Sequence, residues 1–150
     1  MGLNGPKKVW LGNDTSMTDM NIGSSGQNEA GTLYQTTANH EPDTSSDHAE
    51  AGVKASHGHG SLTAWAWIGR DFEIQDNSGS QTATITADGS YFGSMSYDDG
   101  GSNYVHMEMI VEDYDDQKYY DETIFEKSDY NGNPNGSYVQ SMDIELRAGH

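Results

Sequence analysis

Alternation of apolar and polar residues is the clearest pattern in the chain, and it is strongest in two segments of the second half. In Tyr104–Glu112 every second residue is apolar, and the same period of two runs through Ser137–Leu146. Successive side chains of a β-strand point to opposite faces, so each segment predicts a strand with one buried and one wet face. The expected buried positions are Val105, Met107, Met109 and Val111 in the first segment, and Tyr138, Met142, Ile144 and Leu146 in the second.

Shorter alternating segments predict further strands after Ser61. Leu62–Ile68 places Trp65 and Trp67 on one face and small residues on the other, which is typical of a strand covered on both sides. Asp88-Gly89 tolerates the positive φ of a tight hairpin, so we expect a turn there and a return strand at residues 90–97. Further strands are expected at residues 71–75, 81–87 and 118–126. With seven or eight strands and almost no helix, the fold class is predicted to be an all-β antiparallel sandwich of jelly-roll or Ig-like type.

The first sixty residues differ from the rest in composition. They are rich in Gly, Ser, Thr and Asn and contain only short apolar pieces. This composition predicts a polar, extended N-terminal arm at residues 1–60 that precedes a sandwich domain at residues 61–150. The apolar pieces are interpreted as anchors for assembly with a neighbouring subunit: Val9, Trp10, Leu11, Leu33 and Tyr34.

The net charge of the chain argues against some classes of binding partner. The chain has 24 acidic and 7 basic residues, which gives a formal net charge of -17. Such a surface repels nucleic acid and anionic lipid, and its self-repulsion relaxes in concentrated salt, where the Debye length falls to about 3 Å at 1 M. The composition therefore indicates a halophilic protein that binds no nucleic acid. No apolar segment is long enough for membrane insertion, and residues 1–11 lack the apolar core of a signal peptide.

Histidine is concentrated in one polar stretch, where four of the six histidines lie between residues 40 and 59. Neutral imidazoles bind zinc, nickel or copper, which makes His57 and His59 the candidate transition-metal ligands. Their spacing matches no established zinc motif, and the alternative is a polar loop in which histidine has no ligand role.

Two acidic clusters form a candidate calcium site. Carboxylate oxygens are the ligands that calcium prefers, and several acids fall in two predicted loops. The order of an EF-hand loop is absent, and Asp-rich loops are also typical of a halophilic surface, so no cofactor is required and Ca²⁺ is the alternative. The candidate cation ligands are Asp98, Asp99, Asp113, Asp115 and Asp116.

Aromatic residues on a sheet offer a second kind of binding surface. Trp65 and Trp67, together with several tyrosines, are candidates for stacking on a glycan, although tryptophans of a sandwich more often lie in its core. No G-x-S-x-G, H-E-x-x-H or phosphate-binding glycine loop occurs, and the chain has no cysteine. We therefore expect that the protein is not an enzyme.

Three segments carry a resemblance to known proteins. The runs Ser61–Phe72, Ala83–Tyr91 and Leu146–His150 resemble segments of uncharacterised haloarchaeal acidic β-sandwich proteins, over residues 61–150. Those relatives continue with one more strand after the last run, so the resemblance implies an open strand edge at this end. It supports the expectation of a structural subunit of a haloarchaeal virus particle (capsid decoration, turret or tail) or surface assembly. Such a subunit would form a homo-oligomer or bind other structural subunits, in a virion or on an extracellular surface; a glycan- or calcium-binding adhesin is the alternative.

Overall fold

All the regular secondary structure in the regions that the structure describes is β-structure. This structure is a computed structural model, and it describes residues 6–10, 15–75, 81–98 and 100–147. No helix occurs among these residues, which confirms the all-β fold class. The described residues form ten strands: β1 (Lys7–Val9), β2 (Ile22–Tyr34), β3 (Thr37–Asp43), β4 (His48–Lys54), β5 (His57–Gly69), β6 (Phe72–Ile74), β7 (Gln81–Phe92), β8 (Tyr104–Asp113), β9 (Lys118–Ser128) and β10 (Asn135–Leu146).

The first compact unit, Met1–Gln75, is built from nested antiparallel pairs. β3 pairs with β4 across a four-residue turn at residues 44–47, and β2 pairs with β5 around this hairpin. The short strands β1 and β6 form a parallel pair in which Val9 lies opposite Ile74. The residues expected to form an extended arm therefore contain four strands, and Gly60, the expected domain boundary, lies inside β5.

The second compact unit, Asp76–His150, has the same nested order. β8 pairs with β9 across a four-residue turn at residues 114–117, and β7 pairs with β10 around that hairpin. Each unit thus contains an inner hairpin and an outer strand pair, and the first unit has the β1–β6 pair in addition. This equivalence was not expected from the sequence, in which only the second half was interpreted as a folded domain.

The turn expected at Asp88-Gly89 is wrong. β7 runs without interruption from Gln81 to Phe92, and Gly89 lies opposite Tyr138 of β10. A Cβ atom at Gly89 would lie 2.7 Å from the Tyr138 hydroxyl oxygen, so the tyrosine ring covers the glycine. Pairing along the full length of β10 outweighs the local turn preference of Asp-Gly, because a turn there would remove the cross-strand partners of the following residues.

The buried apolar residues follow the predicted alternation. In β8 and β10 the positions expected to face inward are less exposed than the residues on either side, which confirms both strands and their orientation. Among the described residues, six hydrophobic side chains are buried: Ile74, Met109, Val111, Met142, Ile144 and Leu146. Five of these lie in β8 and β10, so the better-developed core belongs to the second unit.

Candidate functional site

The β8–β9 turn contains three of the five candidate cation ligands, and its geometry assigns a structural role to the first. Asp113 is buried, with 7% of its surface exposed. Its Oδ1 accepts hydrogen bonds from the backbone N–H groups of Asp115 and Asp116, each with an N···O distance of 3.1 Å. An aspartate that accepts bonds from the second and third following residues stabilises a turn in the way of an Asx turn. The Asp113 carboxylate is thus used to close the hairpin.

The other two acids of this turn differ in their partners. The Asp116 carboxylate lies 3.5 Å from Nζ of Lys118 and 3.8 Å from Nε of Arg147, and Asp115 is exposed. Two basic neighbours within 4 Å compete with a cation for the Asp116 oxygens. Because ion pairs at the surface contribute little to stability, this arrangement orients Asp116 rather than holding the unit together.

The second acidic loop is described only in part. Asp98 is exposed, and its backbone carbonyl accepts a hydrogen bond from Gly101 N–H at 2.9 Å. Asp99 lies outside the described residues. Within the described ranges no three His, Asp or Glu side chains are grouped in a way that could hold a metal ion. The calcium site stays a prediction, and the known geometry of its residues is that of turn and ion-pair formation.

The β3–β4 turn repeats the construction of the β8–β9 turn. Asp43 Oδ1 accepts hydrogen bonds from N–H and Oγ–H of Ser45 at 2.9 and 2.6 Å, and Oδ2 accepts one from the Ser46 hydroxyl at 2.6 Å. These bonds, led by that from the Ser45 side chain, lower the pKa of Asp43 to about 2 because they stabilise the charged carboxylate. In both turns the residue four positions after the aspartate has a φ of 53°: Asp47 and Gln117.

The candidate transition-metal ligands lie at the start of β5. His57 and His59 are both exposed and lie opposite Tyr34 and Thr32 of β2. The His57 Nδ1 atom is 2.8 Å from the Ser56 hydroxyl, a neighbouring side chain in the sequence. The histidines are therefore on a strand rather than in the expected loop, and among the described residues neither belongs to a group of three His, Asp or Glu side chains that could hold a metal ion. The metal site stays a prediction.

One histidine that sequence reasoning did not select has two acidic neighbours. His106 in β8 lies 3.2 Å from a carboxylate oxygen of Glu108 and 3.5 Å from one of Glu126. The period of two places His106 and Glu108 on one face of the strand, which the sequence could have shown. His106 lies opposite Glu126 because of the register between β8 and β9, and the sequence could not have shown this register.

The candidate assembly anchors fall into two groups. Val9 belongs to β1, and its carbonyl accepts a hydrogen bond from Gln75 N–H at 2.8 Å, so it is held within its own unit. Leu33 is half-buried, whereas Trp10 and Tyr34 are 52% and 60% exposed. Leu11 lies outside the described residues. Trp10 and Tyr34 are thus the candidate anchors with the most solvent-exposed apolar surface among those described, and their role in assembly stays a prediction.

The tryptophans of β5 form the largest difference between expectation and structure. The expectation that both faces of this strand are covered is wrong, because Trp65 and Trp67 are 47% and 43% exposed. On the other face Ala64 and Ala66 are less exposed, as small residues under a neighbouring layer should be. The outer face of the β2–β5 pair is therefore an aromatic surface in contact with solvent.

No known protein family, curated protein or solved structure matches the chain. In the described residues there is also no helix with the length and hydrophobicity needed to cross a membrane. The functional argument therefore depends on the geometry of the chain itself.

Proposed function

We propose that this protein is a non-enzymatic structural subunit that assembles with other subunits through the edges of its strands. The assembly would be a haloarchaeal virus particle, as capsid decoration, turret or tail, or a cell-surface structure. In this proposal each unit is completed as a β-sandwich by strands that neighbouring subunits add. Partners of this kind are further copies of the chain or other structural subunits.

The pairing of the strands carries the proposal. Each strand among the described residues pairs with one other strand, which makes five two-stranded sheets. One edge of each strand therefore has no strand partner. An isolated two-stranded ribbon is marginally stable in water, and an open edge is a template for a strand from another chain. Addition of strands across subunits satisfies these backbone groups and provides the missing stability.

The need for strands from another subunit is greatest in the half of the β2–β5 pair that contains residues 27–32 and 57–61. Residues 27–32 of β2 are all exposed, and so are residues 57–61 of β5. Side chains on both faces of this part of the ribbon are therefore exposed to solvent. A ribbon of this kind gains little from the core of its own unit, and strands that a neighbouring subunit adds along its edges would stabilise it.

Charge sets the conditions for such assembly. Copies that each carry a formal net charge of -17 repel one another in dilute buffer. Molar salt screens this repulsion, because the Debye length falls to about 3 Å. We therefore propose that the subunit folds and associates in the high salt of a halophile. Association and the thermal midpoint should both increase with KCl concentration.

Light scattering after size exclusion in molar KCl tests the proposal. The full-length protein should elute as a species larger than its 16.4 kDa monomer, and the mass should fall towards the monomer in dilute buffer. Thr32→Lys adds charge to the exposed residues 27–32 of β2 and should reduce the mass in molar KCl. Asn133→Lys adds the same charge in a loop and is the matched control. A monodisperse monomer at all salt and protein concentrations would overturn the proposal.

A further inference from the structure

The Trp65 indole is held flat against the sheet. A Cβ atom at Gly26, which lies opposite Trp65, would be 2.7 Å from Cζ2 and 2.9 Å from Cε2 of the ring. The ring therefore covers the space that a side chain at position 26 would fill. With 47% of Trp65 exposed, the outer side of the indole is open to solvent. Trp67 lies two residues further along the same face, about 7 Å away, so both rings can contact one ligand.

The surroundings of these rings are polar and uncharged. We define the Trp face as eight positions on this side of the β2–β5 ladder, which lie between the Ile22–Gly69 pair and the segment in which Gly31 and Gly58 have positive φ: Ser24, Gly26, Asn28 and Ala30 of β2 with Ser61, Thr63, Trp65 and Trp67 of β5. None of the eight is acidic or basic, although the chain contains 24 acids. By contrast, the exposed face of the β7–β10 pair carries Asp88, Asp143 and Glu145. The Trp face thus suits a neutral ligand.

The size of the Trp face favours a small ligand over a protein. Seven residues of a strand span about 24 Å, and two strands with their side chains are about 10 Å wide, which gives a face on the order of 250 Å². A stable protein interface buries about 800 Å² on each partner. The Trp face alone is too small for such an interface. Flat apolar rings next to hydroxyl and amide groups instead match a sugar, which has apolar C–H faces and neutral hydroxyl groups around its edge.

We infer that the Trp face binds a neutral carbohydrate, with the indoles of Trp65 and Trp67 stacked on sugar rings. Asn28 and Thr63, which lie opposite one another beside Trp65, are exposed and donate and accept hydrogen bonds to the sugar hydroxyls. Gly26 acts as a positioning residue, because its lack of a side chain lets the Trp65 ring lie flat. This activity is independent of assembly through strand edges, and a glycan-coated surface is the kind of target that it would recognise.

Titration with defined sugars, followed by intrinsic tryptophan fluorescence, tests the inference. The probes are three neutral hexasaccharides, cellohexaose, mannohexaose and chitohexaose, added up to about 10 mM to the full-length protein in molar KCl. At least one of them should change the fluorescence in a saturable way. Because the ligand is neutral, the affinity should not change when the KCl concentration is doubled. An anionic polysaccharide such as alginate should not bind.

Variants then locate the site. Trp65→Ala and Trp67→Ala should each weaken binding about tenfold or more. Tyr119→Ala removes an equally exposed aromatic side chain of β9, which lies outside the Trp face, and should leave binding unchanged. Gly26→Val keeps both indoles but displaces the Trp65 ring, so it should also weaken binding. Circular dichroism of each variant shows whether the strands are retained.

Two outcomes would overturn the inference. The first is that none of the three sugars binds the wild-type protein at the highest concentration. The second is that Trp65→Ala and Trp67→Ala leave sugar binding unchanged but convert the assembled protein to a monomer in light scattering, which would make the Trp face a contact between copies. Sugar binding by a monomeric wild-type protein would instead support the inference while removing the proposed structural function.

Discussion

The side-chain amide of Asn103 forms two hydrogen bonds with the backbone of Tyr130. Its Nδ2 donates to the Tyr130 carbonyl at 2.7 Å, and its Oδ1 accepts from the Tyr130 N–H at 2.9 Å. Asn103 directly precedes β8 and Tyr130 follows β9, so this amide continues the ladder of the inner hairpin beyond its last backbone pair. A side chain thereby satisfies the backbone donor and acceptor of Tyr130, which lies outside the strands.

Replacement of Asn103 tests how much its two hydrogen bonds with Tyr130 stabilise the protein. Asn103→Ala leaves both partly buried backbone groups of Tyr130 without their partner and should lower the free energy of unfolding by about 1–3 kcal/mol. Asn135→Ala is the control, since the exposed Asn135 makes one long side-chain bond of 3.3 Å. Thermal denaturation in constant molar KCl measures both. Equal midpoints for the two variants would contradict the closing role of Asn103.

Variants of Asp113 distinguish a role in turn closure from a role in cation binding. Asp113→Ala removes the acceptor of two backbone N–H groups and should destabilise the protein by about 1–2 kcal/mol, whereas Asp113→Asn keeps a side-chain oxygen and should cost less. Turn closure predicts the same differences with EDTA and with added CaCl₂. If instead both variants lose stability equally, and only when Ca²⁺ is present, the carboxylate is a calcium ligand.

The lowered pKa of Asp43 predicts a defined pH dependence. Hydrogen bonds from Ser45 and Ser46 lower the pKa from 3.8 to about 2, so the folded state binds this proton less readily than the unfolded state. The stabilisation is present above about pH 4 and is lost as the pH falls through about 2. The midpoint difference between wild type and Asp43→Ala should therefore be constant from pH 7 to 4 and shrink below pH 4.

The exposed Asp121→Ala variant corrects the Asp43 experiment for the loss of one negative charge. Its midpoint should not show the same narrowing relative to wild type. A difference for Asp43→Ala that grows as the pH falls would show that the hydrogen bonds do not stabilise the charged carboxylate.

Gly31 is the glycine of β2 at which a side chain is least tolerable. Its φ is 91°, and a Cβ atom would lie 2.3 Å from the His59 carbonyl oxygen and 2.6 Å from Cα of Gly60. Because both contacts are with backbone, Gly31→Ala should lower the free energy of unfolding by about 2 kcal/mol or more. Gly52→Ala in β4 meets no atom within 4 Å and should change stability by less than about 0.5 kcal/mol. Urea titration compares the two variants.

The parts of the fold that the sequence predicted are those with a strong period of two. β8 and β10 alternate apolar and polar side chains along most of their length, and burial of one face is sufficient to specify such strands. β2 and β4 lack this pattern, because β4 is exposed throughout and much of β2 consists of Gly, Ser and other small or polar residues. Their strand conformation depends on pairing with β5 and β3, which composition does not show.

The candidate sites, like the strands, could be predicted from the sequence only in part. The sequence identified the acids of the β8–β9 turn, but their chemistry depends on which backbone N–H groups face them. One signal in the sequence was overlooked: Asp43 and Asp113 each precede a short polar segment, residues 44–47 and 114–117, which indicates equivalent turns. The solvent-exposed Trp face could not be predicted, because alternation alone does not show which side of a strand is covered.

The nested strand pairs imply an order of folding. Each inner hairpin closes a loop of four residues, whereas Tyr34 must find His57 and Phe92 must find Asn135 before the outer pairs can begin. The entropy of loop closure increases with loop length, and formation of the inner hairpin brings the outer strands close together. In each unit the strand pairing should therefore form first next to the turn and then extend to the outer strands. Changes at Asp43 or Asp113 would then slow folding, while changes in β2 or β10 would mainly accelerate unfolding.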